Sequence, residues 1–150
     1  MISKLGQTLV LVASLFLFLA ACSRAEEPKR LDMEVGRVEF RDNIGPAVPS
    51  GVFAIVQLSL HNITDSPLVL NPSDFVLVDE EGKIHEESME GLRAYASLYF
   101  GSVFRNYELD TGTTIEVVTI FDIPTTGLQR RLEIQFRHES PVEFDAIPER

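Results

Sequence analysis

The chain is poor in cysteine, tryptophan and basic side chains. It has one Cys, no Trp, and 13 Lys or Arg residues against 23 Asp or Glu residues, which gives a formal net charge of -10 at pH 7. An acidic surface repels phosphate backbones, so the composition argues against nucleic acid as a partner. A single cysteine cannot form an internal disulfide, so packing must supply the stability. The length of 150 residues, without internal repeats, fits one compact domain.

The one cysteine, Cys22, lies where an apolar run ends and charged residues begin. Lys4 precedes this run, which covers residues 8–21 and is shorter than the ~20 residues that a helix needs to cross a bilayer. A basic start, a short apolar run and small residues are typical of an export signal. The end of the run resembles the lipobox of bacterial lipoproteins, with Leu19, Ala20 and Ala21 before Cys22.

The lipobox resemblance implies a signal peptide over residues 1–21 and a mature chain that begins at Cys22. Small side chains at the two preceding positions admit the signal peptidase, and the Cys22 thiol accepts a diacylglyceryl group through a thioether. The two or three acyl chains that the resemblance implies would hold the protein on a membrane, since each buried CH₂ contributes about 0.8 kcal/mol. The alternatives are an ordinary secretory signal and a free buried cysteine.

The residues after the cysteine predict a tether and a location. Residues 22–30 are polar and charged, and roughly eight extended residues would keep the folded part within about 26 Å of the anchor. Ser23 stands where an Asp would resemble the inner-membrane retention signal of Gram-negative bacteria. The predicted location is therefore the periplasmic face of the outer membrane in a Gram-negative host. In a Gram-positive host it is the outer face of the plasma membrane.

Period-2 alternation of apolar side chains predicts that residues 31–150 fold mainly as strands. In the segment 51–62, Val56, Leu58 and Leu60 fall on one face and polar side chains fall on the other, as in a half-buried strand. Similar alternation predicts further strands at 31–42, 73–79, 113–124 and 128–136.

One stretch, "SMEGLRAYASLYF", has helical spacing instead. Met89, Leu92, Ala96 and Tyr99 recur on one face of a helix, and Ser88 is placed to be its N-cap. Several short strands with one short helix between them predict an all-β fold, an immunoglobulin-like antiparallel β-sandwich with one short helical crossing.

Turn residues divide the predicted strands. The sequence from Asp79 to Gly82 predicts a hairpin turn. Residues 138–150 contain Pro141 and Pro148, so this segment fits either an edge strand or a tail.

A series of positions runs in a fixed order through "GVFAIVQLSLHNITDSPLVLNPSDFVLVDEEGK" and "ELDTGTTIEVVTIFDIP". They are Gly51, Asn62, Leu70, Asp74, Phe75, Leu77, Asp79, Gly82, Lys83, Leu109, Gly112, Phe121 and Pro124. This order resembles the immunoglobulin-like domain of bacterial lipoproteins and secreted proteins of unknown function, a family related in fold to a secreted mycobacterial immunoprotective antigen. The resemblance covers residues 32–137, with Thr111 in place of the family's usual proline. Its motifs are structural, so it implies a fold and no activity.

Candidate metal and catalytic residues have simpler structural explanations. The three histidines could complete an open zinc site, but they lie on separate segments without ligand spacing: His61, His85 and His138. The acidic residues around the predicted turn could hold calcium, but the turn accounts for them: Asp79, Glu80, Glu81, Glu86, Glu87 and Glu90. No Gly-x-Ser-x-Gly motif occurs. We therefore predict no enzyme, metal site or cofactor, and binding of a ligand or of calcium, zinc or copper is the alternative function.

Five aromatic side chains occur close together near the predicted helix: Tyr95, Tyr99, Phe100, Phe104 and Tyr107. Tyr combines apolar area with a polar tip, which suits protein interfaces. Two interpretations stay open, an interaction surface or rings that cover one open end of the sandwich. With the anchor, these residues predict a lipid-anchored, non-catalytic cell-envelope protein that binds or scaffolds an envelope protein partner.

Overall fold

The computed structural model of the chain describes residues 29–99, 103–124, 131–137 and 139–145. The predicted signal peptide, lipobox and anchor at Cys22 lie outside these residues, as do Phe100 and His138. No helix in the described part of the chain is long and apolar enough to cross a bilayer.

The described residues form strands, an α-helix and a short 3₁₀ helix. The strands are β1 (Leu31–Arg41), β2 (Val52–Asn62), β3 (Leu68–Leu70), β4 (Phe75–Asp79), β5 (Ile84–His85), β6 (Tyr107–Leu109), β7 (Thr114–Ile123), β8 (Arg131–Phe136) and β9 (Val142–Asp145). The helix α1 spans Met89–Tyr99, and the 3₁₀ helix spans Pro72–Asp74. Strands β1, β2, β4, β7 and β8 confirm the strands predicted from alternation.

The strands form antiparallel sheets that pack in two layers. One sheet has the order β1-β2-β7, and the opposite layer contains the sheets β5-β4-β8-β9 and β3-β6. Every pairing between these strands is antiparallel. The predicted all-β sandwich with one short helix is confirmed.

The main core lies between the two layers. Val56, Leu58 and Leu60 on β2 are fully buried there, which confirms the face predicted for this strand. From the opposite layer, the rings of Phe75 and Phe136 meet with centroids 5.2 Å apart. Burial of side chains of this size stabilises the fold by about 1.5–3 kcal/mol each, so the alternation in the sequence fixes which faces meet.

A second apolar cluster explains why the first half of β2 is buried on both faces. Phe53 and Ile55 point away from the main core and pack with Leu92 of α1 and Ile120 of β7. The helix therefore lies across the outer face of the β1-β2-β7 sheet. Its N-cap is Ser88, as predicted, because the Ser88 Oγ accepts a hydrogen bond of 3.1 Å from the Gly91 N–H.

Asn62 forms hydrogen bonds that hold the connection between β6 and β7 against the end of β2. Its side-chain Nδ2 donates to the carbonyl oxygens of Ser66 and Leu109, each at 2.9 Å. Its backbone N–H donates to the Thr113 carbonyl at 3.1 Å, and its own carbonyl accepts from the Gly112 N–H at 2.9 Å. Asn62 thus ties the end of β2 to both strands on either side of the 110–113 turn.

The sequence did not predict β3, β6 or the 3₁₀ helix, and it left the carboxyl segment open. Strands β3 and β6 have three residues each, which is too short to show alternation.

The predicted hairpin at 79–82 is confirmed, because β4 pairs with β5 across it. At the carboxyl end, β9 pairs with β8 and is an edge strand of its sheet, so this part of the 138–150 segment is not a tail.

Candidate functional site

The predicted aromatic residues separate into two groups in the structure. Tyr95, Phe104 and Tyr107 line one groove. Tyr99 lies outside that lining, where its hydroxyl accepts a hydrogen bond of 2.7 Å from the Arg41 guanidinium. The rings of Tyr95 and Tyr99 nevertheless touch, with centroids 4.5 Å apart.

The groove has a volume of about 530 Å³ and lies beside the helix. We call it the aromatic groove. Its walls come from one flank of α1, from the segment that connects α1 to β6, and from β7, and its main lining residues are Leu92, Tyr95, Val103, Phe104, Tyr107 and Val118. A mostly apolar concave surface of this size with few polar groups is typical of a binding site.

Phe104 and Tyr107 have different roles although they are close in sequence. The Phe104 ring packs edge-on against the buried Phe75 ring, with centroids 6.2 Å apart, and so joins the groove to the main core. Tyr107 is 41% exposed. One aromatic side chain therefore supports the groove floor, and the other presents its ring to solvent at the rim.

The sequence pattern did not predict that residues of β7 line the groove. Ile115 and Val117 point toward the main core, whereas Val118 packs with the cluster under the helix. Glu116 is exposed and is the charged residue among the described residues that line the groove. Two adjacent valines on opposite faces are the sequence signal that β7 is covered on both sides.

Strand β7 is also the outer strand of its sheet, because β2 is its neighbour on one side and the described residues contain no strand on the other. Part of this outer edge is bonded. The Ser88 N–H donates to the Ile120 carbonyl at 2.6 Å, and Glu87 forms an antiparallel bridge with Phe121. The part of the β7 edge beside the aromatic groove is nearer the start of the strand, at residues 115–118.

The acidic turn and two of the histidines occupy structural positions. Buried His85 lies with its Nε2 3.0 Å from Asp79 Oδ2, and Asp79 Oδ1 accepts from the N–H groups of Glu81 and Lys83 at 3.0 and 2.9 Å. Burial acts to raise the pKa of Asp79, but the hydrogen bonds from His85 and from the turn outweigh it, so the pKa is lowered. His61 lies elsewhere, with its Nδ1 2.9 Å from Thr114 Oγ1. No three His, Cys, Asp or Glu side chains in the described ranges gather as a metal site.

These features define a class of protein, an all-β sandwich domain with a helix across one sheet and an aromatic groove at the helix flank. The chain belongs to the family described as a domain of unknown function, DUF4352, which matches residues 30–145. No curated protein matches it.

Two solved structures share the fold. A conserved hypothetical protein from Bacillus anthracis is similar with a TM-score of 0.58 and 22% identity, over 78% of this chain and 89% of that one. A Bacillus subtilis protein, ycdA, described as a "putative lipoprotein", has a TM-score of 0.58 and 11% identity over 77% of this chain. This chain spans 36% of the ycdA structure. At these identities the likeness shows the fold alone.

Proposed function

We propose that this chain is a lipid-anchored, non-catalytic protein of the cell envelope whose domain binds another envelope protein through the aromatic groove. The groove is the observation that carries the proposal, because it presents aromatic side chains on a rigid support. Phe104 is packed on the core, and α1 is held on the sheet by the cluster around Leu92. Aromatic side chains held in this way are the usual anchors of protein interfaces. No observation on the described residues favours the metal-binding alternative.

The proposed anchor is supported by the lipobox pattern that ends at Cys22 and by the description of ycdA. The strand pairing shows which end of the domain lies nearest the proposed anchor. Strand β1 begins at Leu31, which pairs with Asn62 at the end of β2, and Thr114 at the start of β7 lies beside them. A tether that enters at Leu31 therefore brings the anchored end of the domain and the groove residues 115–118 to the same half of the sandwich.

The anchor predicts a modified cysteine. In membranes of the host, the mature chain should begin at Cys22 and carry the mass of a diacylglyceryl thioether, because the lipobox directs both steps. Cys22→Ser should remove the modification and release the protein into the soluble fraction. Ser23→Ala, one residue away, should remain in the membrane. Mass spectrometry of the amino-terminal peptide checks this, and an unmodified thiol or a different mature terminus would contradict it.

The groove predicts a site-specific crosslink. A photoreactive phenylalanine in place of Tyr107 should crosslink one envelope protein in cells, whereas the same group at Glu34, on the opposite edge of the sheet, should not. Tyr95→Ala should lower the yield about ten-fold, since loss of an aromatic anchor costs about 1.4 kcal/mol or more. Tyr99→Phe is the matched control outside the groove, because it keeps the ring contact with Tyr95 and loses only the hydrogen bond from Arg41, and it should retain the yield. Equal yields from positions 34 and 107 would count against the proposal.

A further inference from the structure

Part of the β7 edge is paired with no strand among the described residues, and this leads us to infer how the partner binds. We infer that it contributes an extended, basic segment that pairs with the backbone of Glu116 and Val118 and places apolar side chains in the aromatic groove. This inference rests on the proposed function and specifies the partner's chemistry. Addition of a strand to an exposed sheet edge is a known mode of peptide recognition, in which main-chain hydrogen bonds supply affinity and pockets select alternate side chains.

Two hydrogen-bonded residues show which backbone groups of β7 point toward β2. The Thr113 carbonyl accepts from the Asn62 N–H at 3.1 Å, so the backbone N–H and C=O groups of odd-numbered residues in β7 point toward β2. The Ile120 carbonyl accepts from Ser88, on the side away from β2. The N–H and C=O of one residue in an antiparallel strand point to the same side, and this side alternates along the strand. The backbone groups of Glu116 and Val118 therefore point away from β2, as those of Ile120 do.

A short segment of the chain itself already pairs with one part of this edge. Residues 87 and 88 pair with β7 at Phe121 and Ile120, after which α1 begins at Met89 and leaves the edge to cross the sheet. Among the described residues, no strand continues this pairing toward Glu116. The groove begins at the residues where the pairing stops, with Val118 and Leu92 in its lining. A strand of the partner would continue along β7 the backbone pairing that residues 87 and 88 begin.

The charge of the site selects a basic segment over a second copy of this chain. Glu116 is exposed at the edge and lines the groove, and the whole chain has a formal net charge of -10. A carboxylate on an edge strand discourages pairing between identical acidic chains, since like charges on paired strands repel. The same carboxylate attracts Lys or Arg. The occupant is therefore an extended segment in which apolar residues alternate with basic ones.

A designed peptide tests the inference on the full chain without knowledge of the natural partner. The probe is a fluorescent ten-residue peptide that alternates Val and Lys, compared with a Val and Glu peptide and with a Val and Lys peptide whose alternate backbone nitrogens are methylated. We expect the first peptide to bind in fluorescence polarisation. The acidic and the methylated peptides should bind at least ten-fold more weakly. Amide exchange at Glu116 and Val118 should slow only with the first peptide.

Two variants separate charge from backbone pairing. Glu116→Gln removes the charge and should weaken binding about three-fold. Glu116→Pro also removes an N–H that does not bond to β2, a position where an edge strand tolerates proline, and should weaken binding at least ten-fold. The methylated peptide gives the same test on the unaltered protein if the proline variant fails to fold.

Three results would overturn the inference: equal binding of the methylated peptide, equal binding of the acidic peptide, or protection of β7 by self-association without peptide. If the position-107 crosslink forms while any of these occurs, the partner binds the groove in another way and the proposed function stands. If neither peptide binding nor the crosslink is found, both proposals fail.

Discussion

Replacing Asn62 by Ala is expected to lower the free energy of unfolding by about 3 kcal/mol, and the thermal midpoint by about 10 °C. The Asn62 side chain is fully buried. It donates to the carbonyls of Ser66 and Leu109, each at 2.9 Å, and its Oδ1 accepts from Thr64 N–H and Oγ at 2.9 and 2.7 Å. Alanine would remove the partner of the Leu109 carbonyl, in a buried hydrogen bond, and of the half-buried Thr64 N–H, and each buried polar group that loses its partner costs about 1–3 kcal/mol.

Asn71 provides a matched control for this prediction. It is half-buried, and its Oδ1 accepts a hydrogen bond of 2.8 Å from the Asn106 N–H at an exposed site. Its side chain also caps the short 3₁₀ helix at Pro72–Asp74. Asn71→Ala should therefore cost only about 1 kcal/mol. Urea unfolding followed by circular dichroism measures both variants. If Asn62→Ala unfolds at the same urea concentration as Asn71→Ala, the corner is held by other contacts and the role assigned to Asn62 is wrong.

The position of Asn62 in the sequence shows what local patterns can predict. Alternation places Val56, Leu58 and Leu60 on one face of β2, and this strand ends at Asn62, as expected. The contact between Asn62 and Leu109 joins residues 47 positions apart. No period in the sequence records such a pair, because it depends on how the 110–113 turn returns the chain to β2.

The helix could be predicted because its causes are local. An N-cap serine and apolar side chains at helical spacing are enough to predict a helix at Met89–Tyr99. The predicted face is only partly right, because the helix buries Gly91, Leu92 and Ala94 whereas Tyr99 is exposed.

The aromatic groove could be predicted only in part. The sequence identified Tyr95, Phe104 and Tyr107 as a group, but it could not separate the core contact of Phe104 from the exposed ring of Tyr107. Nor could it show that β7 is an outer strand, since strand order depends on pairings between distant segments.

Replacing Gly91 by Val is expected to displace the helix and to lower the free energy of unfolding by about 2–3 kcal/mol. A Cβ on Gly91 would lie 2.9 Å from Ile120 Cγ2 and 3.1 Å from Phe53 Cε1. Ile120 and Phe53 are both buried and cannot move without disturbing the sheet beneath the helix. The better helix propensity of Val recovers only a few tenths of a kcal/mol, so the steric cost decides the sign.

Gly36→Val is the matched control, because a Cβ there would have its nearest contact at 3.6 Å, with the Gln57 carbonyl oxygen. Gly36 lies in β1 where the pairing with β2 shifts register between Val35 and Val38, and it does not have a positive φ, so this variant should unfold close to the wild-type midpoint. Gly91→Ala should fall between wild type and Gly91→Val. The same displacement moves Leu92 and Tyr95, which line the groove, so Gly91→Val should also reduce the position-107 crosslink while the main core remains folded. Wild-type stability with an undiminished crosslink would show that the helix does not depend on this close approach.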